Sequence, residues 1–144
     1  MTFQNPPPAE IEALLRGARV IAVVGLSTDA SRPSHGVSAA MQRFGYRVIP
    51  VTPGAPLVLG ERSVPDLDHL GDVLAPGEQV DIVDVFRRPE HVDAIVDDCI
   101  RLRLPALWLQ DGVVDEVAAL RAVEAGIEVV MDRCVYRDYV HLMR

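Results

Sequence analysis

The chain has 144 residues, with 14 basic side chains against 21 acidic ones, a net charge of −7 and 49% hydrophobic residues. No basic residue is a lysine, which excludes a P-loop, a pyridoxal Schiff base and a response-regulator receiver, each built around one. Length predicts a single domain over residues 1–144 with a core that needs neither disulfide nor metal, and the acidic balance argues against a nucleic-acid surface.

Residues 1–9 are expected to form a flexible N-terminal segment. The stretch from Met1 to Glu12 carries three prolines and two acids, with no basic residue and no apolar run, so it does not read as a signal peptide. Val20-Ile21-Ala22-Val23-Val24 is a β-branched run ending at Gly25, a buried strand. A polar loop follows. Val37, Ala40, Met41 and Phe44 then recur at helical spacing up to Gly45, with Ser34 placed to cap that helix just after Pro33. Val48-Ile49-Pro50-Val51 is the second strand, ended by Thr52-Pro53-Gly54. The segment from Pro56 to Gln79 is too polar for a strand and too patterned for disorder.

The third strand is Asp81-Ile82-Val83-Asp84-Val85-Phe86, and a helix starting near Pro89 carries Val92, Ile95, Val96, Cys99 and Ile100. Ala106-Leu107-Trp108-Leu109 is the fourth strand. Val117, Leu120 and Val123, with several alanines, mark a helix stopped by Gly126. Ile127 to Met131 is the fifth strand, and Tyr136 to Met143 a short final helix. Strands alternating with helices mean βαβ units. The fold class is α/β: one doubly wound, mostly parallel five-stranded sheet with helices on both faces.

In such sheets ligands bind beyond the carboxyl ends of the strands, where strand order reverses. The charge points to the same end. Residues 1–55 hold five arginines against Glu10, Glu12 and Asp29, a net of +2, whereas the remainder has nine arginines against 18 acids, a net of −9. The loop after the first strand supplies Gly25, the hydroxyls of Ser27, Thr28, Ser31 and Ser34, the Arg32 fork and a helix N-terminus. These are the parts of a diphosphate site. An ordinary Ser/Thr loop with a capped helix explains the same residues about as well.

A dinucleotide fingerprint is missing: the next glycine after Gly25 is Gly36, and no acid follows the second strand until Glu61. Arg87-Arg88-Pro89 places two arginines where a helix dipole opposes them, so an anion or acid is expected nearby. Gln110-Asp111-Gly112 reads as a turn, and Asp132-Arg133 as an ion pair at a strand end. His35, His69, His91 and His141 share no ligand spacing, and no metal site is expected. Cys99 and Cys134 lack a Cys-x-x-Cys pattern and read as reduced thiols of a cytoplasmic protein, Cys134 as a small packed residue rather than a reactive one. No nucleophile, base and acid emerge together, so no catalytic residue is assigned.

Five stretches together carry a resemblance. Val24-Gly25-Leu26-Ser27 with Arg32-Pro33-Ser34, Gly45-Tyr46-Arg47-Val48-Ile49-Pro50-Val51, Asp81 to Arg87, Trp108-Leu109-Gln110 and Val130 to Cys134 resemble, in order, the small bacterial CoA-binding proteins. These are single Rossmann-like domains similar to the N-terminal CoA-binding domain of the succinyl-CoA synthetase α subunit. The resemblance implies a coenzyme A site in which Gly25, Leu26, Ser27, Arg32, Pro33 and Ser34 hold phosphates. Val51, Thr52 and Pro53 would lie beside the adenosine end. Phe86, Arg87, Gln110, Asp111 and Gly112 would line the nucleotide and pantetheine arm. One departure stands out: relatives carry a lysine after the second strand, and here Thr52-Pro53-Gly54 is followed by Ala55.

The expected function is a stand-alone module that binds coenzyme A or an acyl-CoA, without catalysis of its own. The synthetase's second domain with its phosphorylated histidine is not expected in so short a chain. The alternatives are an enzyme using NAD(P) or an acyl-CoA, and a subunit lending a CoA site to a partner chain. A homodimer is compatible with the size, although no residue pattern specifies one.

Overall fold

A computed structural model describes residues 2–143. Helix α1 (Pro8–Gly17) leads into β1 (Val20–Val24), followed by α2 (Pro33–Arg43) and β2 (Arg47–Val51). A small hairpin of β3 (Leu57–Val58) and β4 (Glu61–Arg62), then a 3₁₀ segment (Leu67–Asp72), precede β5 (Ile82–Val85). The rest alternates: α3 (Val92–Arg101), β6 (Ala106–Leu109), α4 (Glu116–Glu124), β7 (Glu128–Met131) and α5 (Val135–Leu142). The main sheet has five parallel strands in the order β2-β1-β5-β6-β7. This is the α/β, Rossmann-like architecture read from the apolar runs.

Each central strand is buried on both sides because successive side chains feed opposite cores. Ile21 and Val23 of β1, Ile82 of β5 and Trp108 of β6 join Ile11 and Leu15 of α1, Met41 of α2 and Val135 of α5. Ala22 and Val24, Val83 and Val85, and Leu107 and Leu109 face the other way, into Val92, Val96 and Cys99 of α3 and the alanines of α4.

Four expectations are corrected. The start of the chain is pinned, not loose: Phe3 is 8% exposed within the α3/α4 core, and the Asn5 amide both donates to the Met131 carbonyl (2.9 Å) and accepts from its N–H (2.8 Å). Helix α1 went unread, although Ile11, Leu14 and Leu15 carry helical spacing. Its proline-rich opening conceals it, since Pro8 sits in the first turn, where a missing N–H costs nothing. The Pro56–Gln79 stretch holds the hairpin and the 3₁₀ segment. In α4 the buried face is Ala118, Ala119 and Ala122, while Val117 is 72% exposed; a helix lying close to the sheet leaves room only for small residues. Asp115 caps that helix by accepting from the Ala118 N–H at 3.0 Å.

Both sheet edges are covered. Asn5 occupies the β7 edge. On the β2 edge Val64 runs parallel to Val51, its N–H donating to Pro50 (3.0 Å) and its carbonyl accepting from Thr52 (2.8 Å). Unpaired strand edges invite aggregation, and these are closed by the chain's own segments.

Candidate functional site

The chain passes from β1 outward to β2 and then crosses back to β5 on the other side of β1. That reversal opens a crevice beyond the carboxyl ends of β1 and β5, the expected ligand position in such a sheet. A cavity of about 600 Å³ lies there. Its walls come from the β1–α2 loop, the residues after β5 and the turn after β6.

Gly25 has φ +87°, and a Cβ there would stand 2.6 Å from the Phe86 carbonyl oxygen and 2.9 Å from Arg87 Cδ. Glycine is therefore demanded by the neighbouring loop, which fills the space a side chain would need. Beyond it the loop is tied to itself. Ser27 N–H donates to Ser34 Oγ (3.0 Å), Asp29 N–H to Ser27 Oγ (3.0 Å), and Ser31 gives both N–H and hydroxyl to Asp29. Those two bonds hold the Asp29 carboxyl below its usual range.

Ser34 thus does not cap α2 as expected. Arg32 takes the cap position with no side-chain cap bond, Pro33 opens the helix, and the α2 N-terminus faces the cavity through Pro33 and Ser34. A helix start whose N–H groups lack a side-chain cap suits an anion.

Away from the cavity several arginines sit in tight pairs, as Arg101–Asp68 (2.6 Å), Arg121–Asp93 (2.6 Å) and Arg133–Asp138 (2.6 Å), while Arg19, Arg43, Arg62 and Arg103 have no carboxylate partner among the described residues. Around the cavity, Arg32 is 4.0 Å from Asp29, Arg88 is 3.9 Å from Glu90, and Arg87 donates to His91 Nε2 at 3.1 Å. Among the described residues Arg87 has no carboxylate partner. The acid expected beside Arg87 and Arg88 is Glu90, 3.9 Å from Arg88, and it leaves Arg87 without an acid partner.

The one acid on the cavity wall is neutralised. Asp111 takes a two-pronged grip from Arg137 (2.6 and 2.7 Å), which holds its carboxyl below the usual range. The expected Asp132–Arg133 pair does not form. Asp132, with φ +60°, accepts from the Gly112 N–H at 2.7 Å, and Arg133 turns to Asp138. Beneath the cavity, Gln110 Nε2 donates to Asp84 Oδ1 at 2.5 Å. Burial pushes the Asp84 carboxyl up to about 7, against that hydrogen bond, which lowers it.

Of the residues implied by the resemblance, Gly25, Ser27, Arg32, Pro33, Ser34, Phe86, Arg87, Gln110, Asp111 and Gly112 converge on the cavity. Four do not. Leu26 is a core residue packed with Ile11, Leu15 and Met41, and Val51 belongs to the opposite core. Thr52 is tied to Val64, and Pro53 is exposed beyond the β2 end. The cavity also takes in Val37, Arg88, Pro89, Val113 and Cys134. Val37 follows Ser34 by one helical turn and Val113 adjoins Gly112, spacings that pointed to both.

The sequence matches the CoA-binding domain family over residues 19–139. The chain belongs to that family. Binding of coenzyme A is the general property that membership supports. Within it, YneT of Bacillus subtilis strain 168 is 40% identical over 133 residues, spanning 92% of this chain and 94% of its own. A Thermus thermophilus structure, cell-free ID.343, matches at 37% identity with a TM-score of 0.86, covering 95% of this chain and 99% of that one. An acetyl-coenzyme A synthetase of Candidatus Korarchaeum cryptofilum shares the fold, with a TM-score of 0.68 at 20% identity over 85% of this CoA-binding domain and 28% of the synthetase. No helix among the described residues is long and apolar enough to cross a membrane.

Proposed function

We propose that this CoA-binding domain acts as a cytosolic module that holds free coenzyme A or an acyl-CoA in the crevice between β1, β5 and β6. One observation carries the reading. Three arginines, Arg32, Arg87 and Arg88, ring an uncapped helix N-terminus with no carboxylate closer than 3.9 Å, although acids outnumber arginines across the chain. Guanidinium forks and the Ser34 N–H suit a diphosphate (Pro33 has no N–H, and His35 and Gly36 donate theirs to the Arg32 carbonyl), and in a chain without lysine the arginines supply the positive charge. Val37, Phe86 and Val113 give the cavity an apolar wall against which a pantetheine arm packs. A long ligand overruns this space, and its adenosine end then rests toward Thr52 and Pro53, beyond the end of β2.

Calorimetric titration with coenzyme A tests this, with NAD as the comparison ligand. Saturable binding of coenzyme A together with a thermal shift is expected; no heat and no shift at millimolar ligand refutes it. Arg32→Ala is expected to weaken binding by about 1.5–3 kcal/mol, the size of a charge-assisted contact. An unchanged dissociation constant removes Arg32 from the site.

A further inference from the structure

The buried polar side chains among the described residues are few: Ser34, Ser38, Asp84, Gln110 and Asp138. Asp84 is the acid among them with no cation beside it, since Asp138 is held by Arg133. It sits inside β5, 1% exposed, with Val23 of β1 and Trp108 of β6 at its register. The Trp108 indole N–H is committed to the Arg133 carbonyl (2.8 Å), so the Gln110 amide nitrogen is the donor that Asp84 has. A carboxyl group in such a place costs several kcal/mol when charged and unpaired. A leucine or valine would fill the same space without that cost.

Gln110 explains what the carboxyl achieves. Its side chain lines the cavity, and its nitrogen points down to Asp84. An amide has its oxygen on the other side. The one buried side-chain polar atom without a partner among the described residues is the Ser38 hydroxyl, so the Gln110 oxygen is not sealed in the core. It is the acceptor left for a ligand. A protonated Asp84 reverses this logic: its O–H donates to the Gln110 oxygen, and the amide nitrogen turns toward the cavity as a donor.

We propose that Asp84 is a positioning residue of the ligand site: from beneath the cavity it orients the Gln110 amide, presenting an acceptor to an N–H group of the bound ligand when ionised and a donor when protonated. The inference rests on the coenzyme A reading above, where the N–H groups are those of the pantetheine amides or the adenine. Burial places the Asp84 carboxyl at about 7, so the exchange falls near neutral pH.

Other titratable groups surround the site. Arg32 and His35 come from the start of α2, and the Arg133–Asp138 pair lies at α5. Arg87 with His91 follows β5, the Asp111–Arg137 pair follows β6, and Cys134 closes the wall. The α1 charges, Glu10, Glu12 and Arg16, lie outside the buried set. Two effects act on Asp84 itself, burial first and the Gln110 hydrogen bond second.

Titration of coenzyme A into the wild type and Asp84→Asn between about pH 5.5 and about pH 8.5 separates Asp84 from these groups and from the ligand's own phosphates, which are common to both proteins. The wild type is expected to lose about fivefold to tenfold in affinity as pH falls through neutrality, beyond any change in the variant, the worth of one hydrogen bond. Superimposable profiles overturn the inference and leave the coenzyme A reading intact; no binding at any pH overturns both. Gln110→Leu is a second variant, expected to lose the same pH-dependent component. Carboxyl ¹³C spectra of aspartate-labelled, unliganded wild type give an independent check. One aspartate is expected to titrate near neutrality, and titration of every aspartate in the ordinary acid range overturns the proposal.

Discussion

Gly25 shows how a residue that reads as a ligand contact is held in place by its own protein. The Phe86 carbonyl occupies the space a Cβ would take, and φ +87° is a conformation that side chains resist. Gly25→Ala is therefore expected to destabilise the fold by about 2–3 kcal/mol as well as weaken binding, measured as a lowered urea midpoint. Asp84 sets a pH dependence of stability. Its carboxyl stands at about 7 in the folded chain against 3.8 ordinarily. Between those values the folded state keeps a proton that the unfolded chain has released, so the contribution of neutral Asp84 declines as pH rises and is gone above about 7. Asp84→Asn is expected to gain on the wild type across that window, by up to roughly 4 kcal/mol. Equal differences between the two proteins at about pH 4.5 and about pH 8 in denaturant titrations would show that Asp84 does not titrate there. The acidity of Asp84 was not legible in the sequence: its place inside an apolar strand was visible, but its burial between β1 and β6 was not.

The five strands of the sheet were legible because each is a short β-branched or aliphatic run bounded by glycine or a polar turn, and the two cores bury every one. The N-terminal segment was misread, since prolines and polar residues suggest a free tail until an edge strand exists for them to cover. Asn5 imitates a strand there, engaging both the N–H and the carbonyl of Met131. Asn5→Ala is expected to cost about 1–2 kcal/mol, because it leaves a part-buried peptide group without its partners, and to raise the aggregation rate by baring the β7 edge. Thermal unfolding and light scattering measure the two effects. Helix α4 taught the opposite lesson. Its valines set the apolar pattern, yet its alanines pack, because the distance to the sheet, and not hydrophobicity alone, decides which face is buried.

As a whole the molecule is an anion-binding candidate that carries net charge −7. Distant acids are screened beyond about 8 Å at physiological salt, whereas Arg32, Arg87 and Arg88 act at contact. Coenzyme A affinity is therefore expected to fall about threefold to tenfold between about 0.05 M and about 0.5 M salt, a sign that local cations outweigh the overall field. A rise in affinity with salt, read by calorimetry, would mean the repulsive field dominates. The sequence by itself determined the five strands of the main sheet, the parallel α/β class and the loops that gather at one end, because buried strands and helix spacing leave local, periodic marks. It also determined the lack of lysine, which leaves phosphate contacts to arginine. Only the tertiary structure decided which arginines are spent in ion pairs and which are left facing the crevice. It alone turned Leu26 into the core, moved Thr52 and Pro53 away from the cavity, and set Asp84 under Gln110. Those outcomes depend on contacts between residues far apart in the chain, and no local pattern records them.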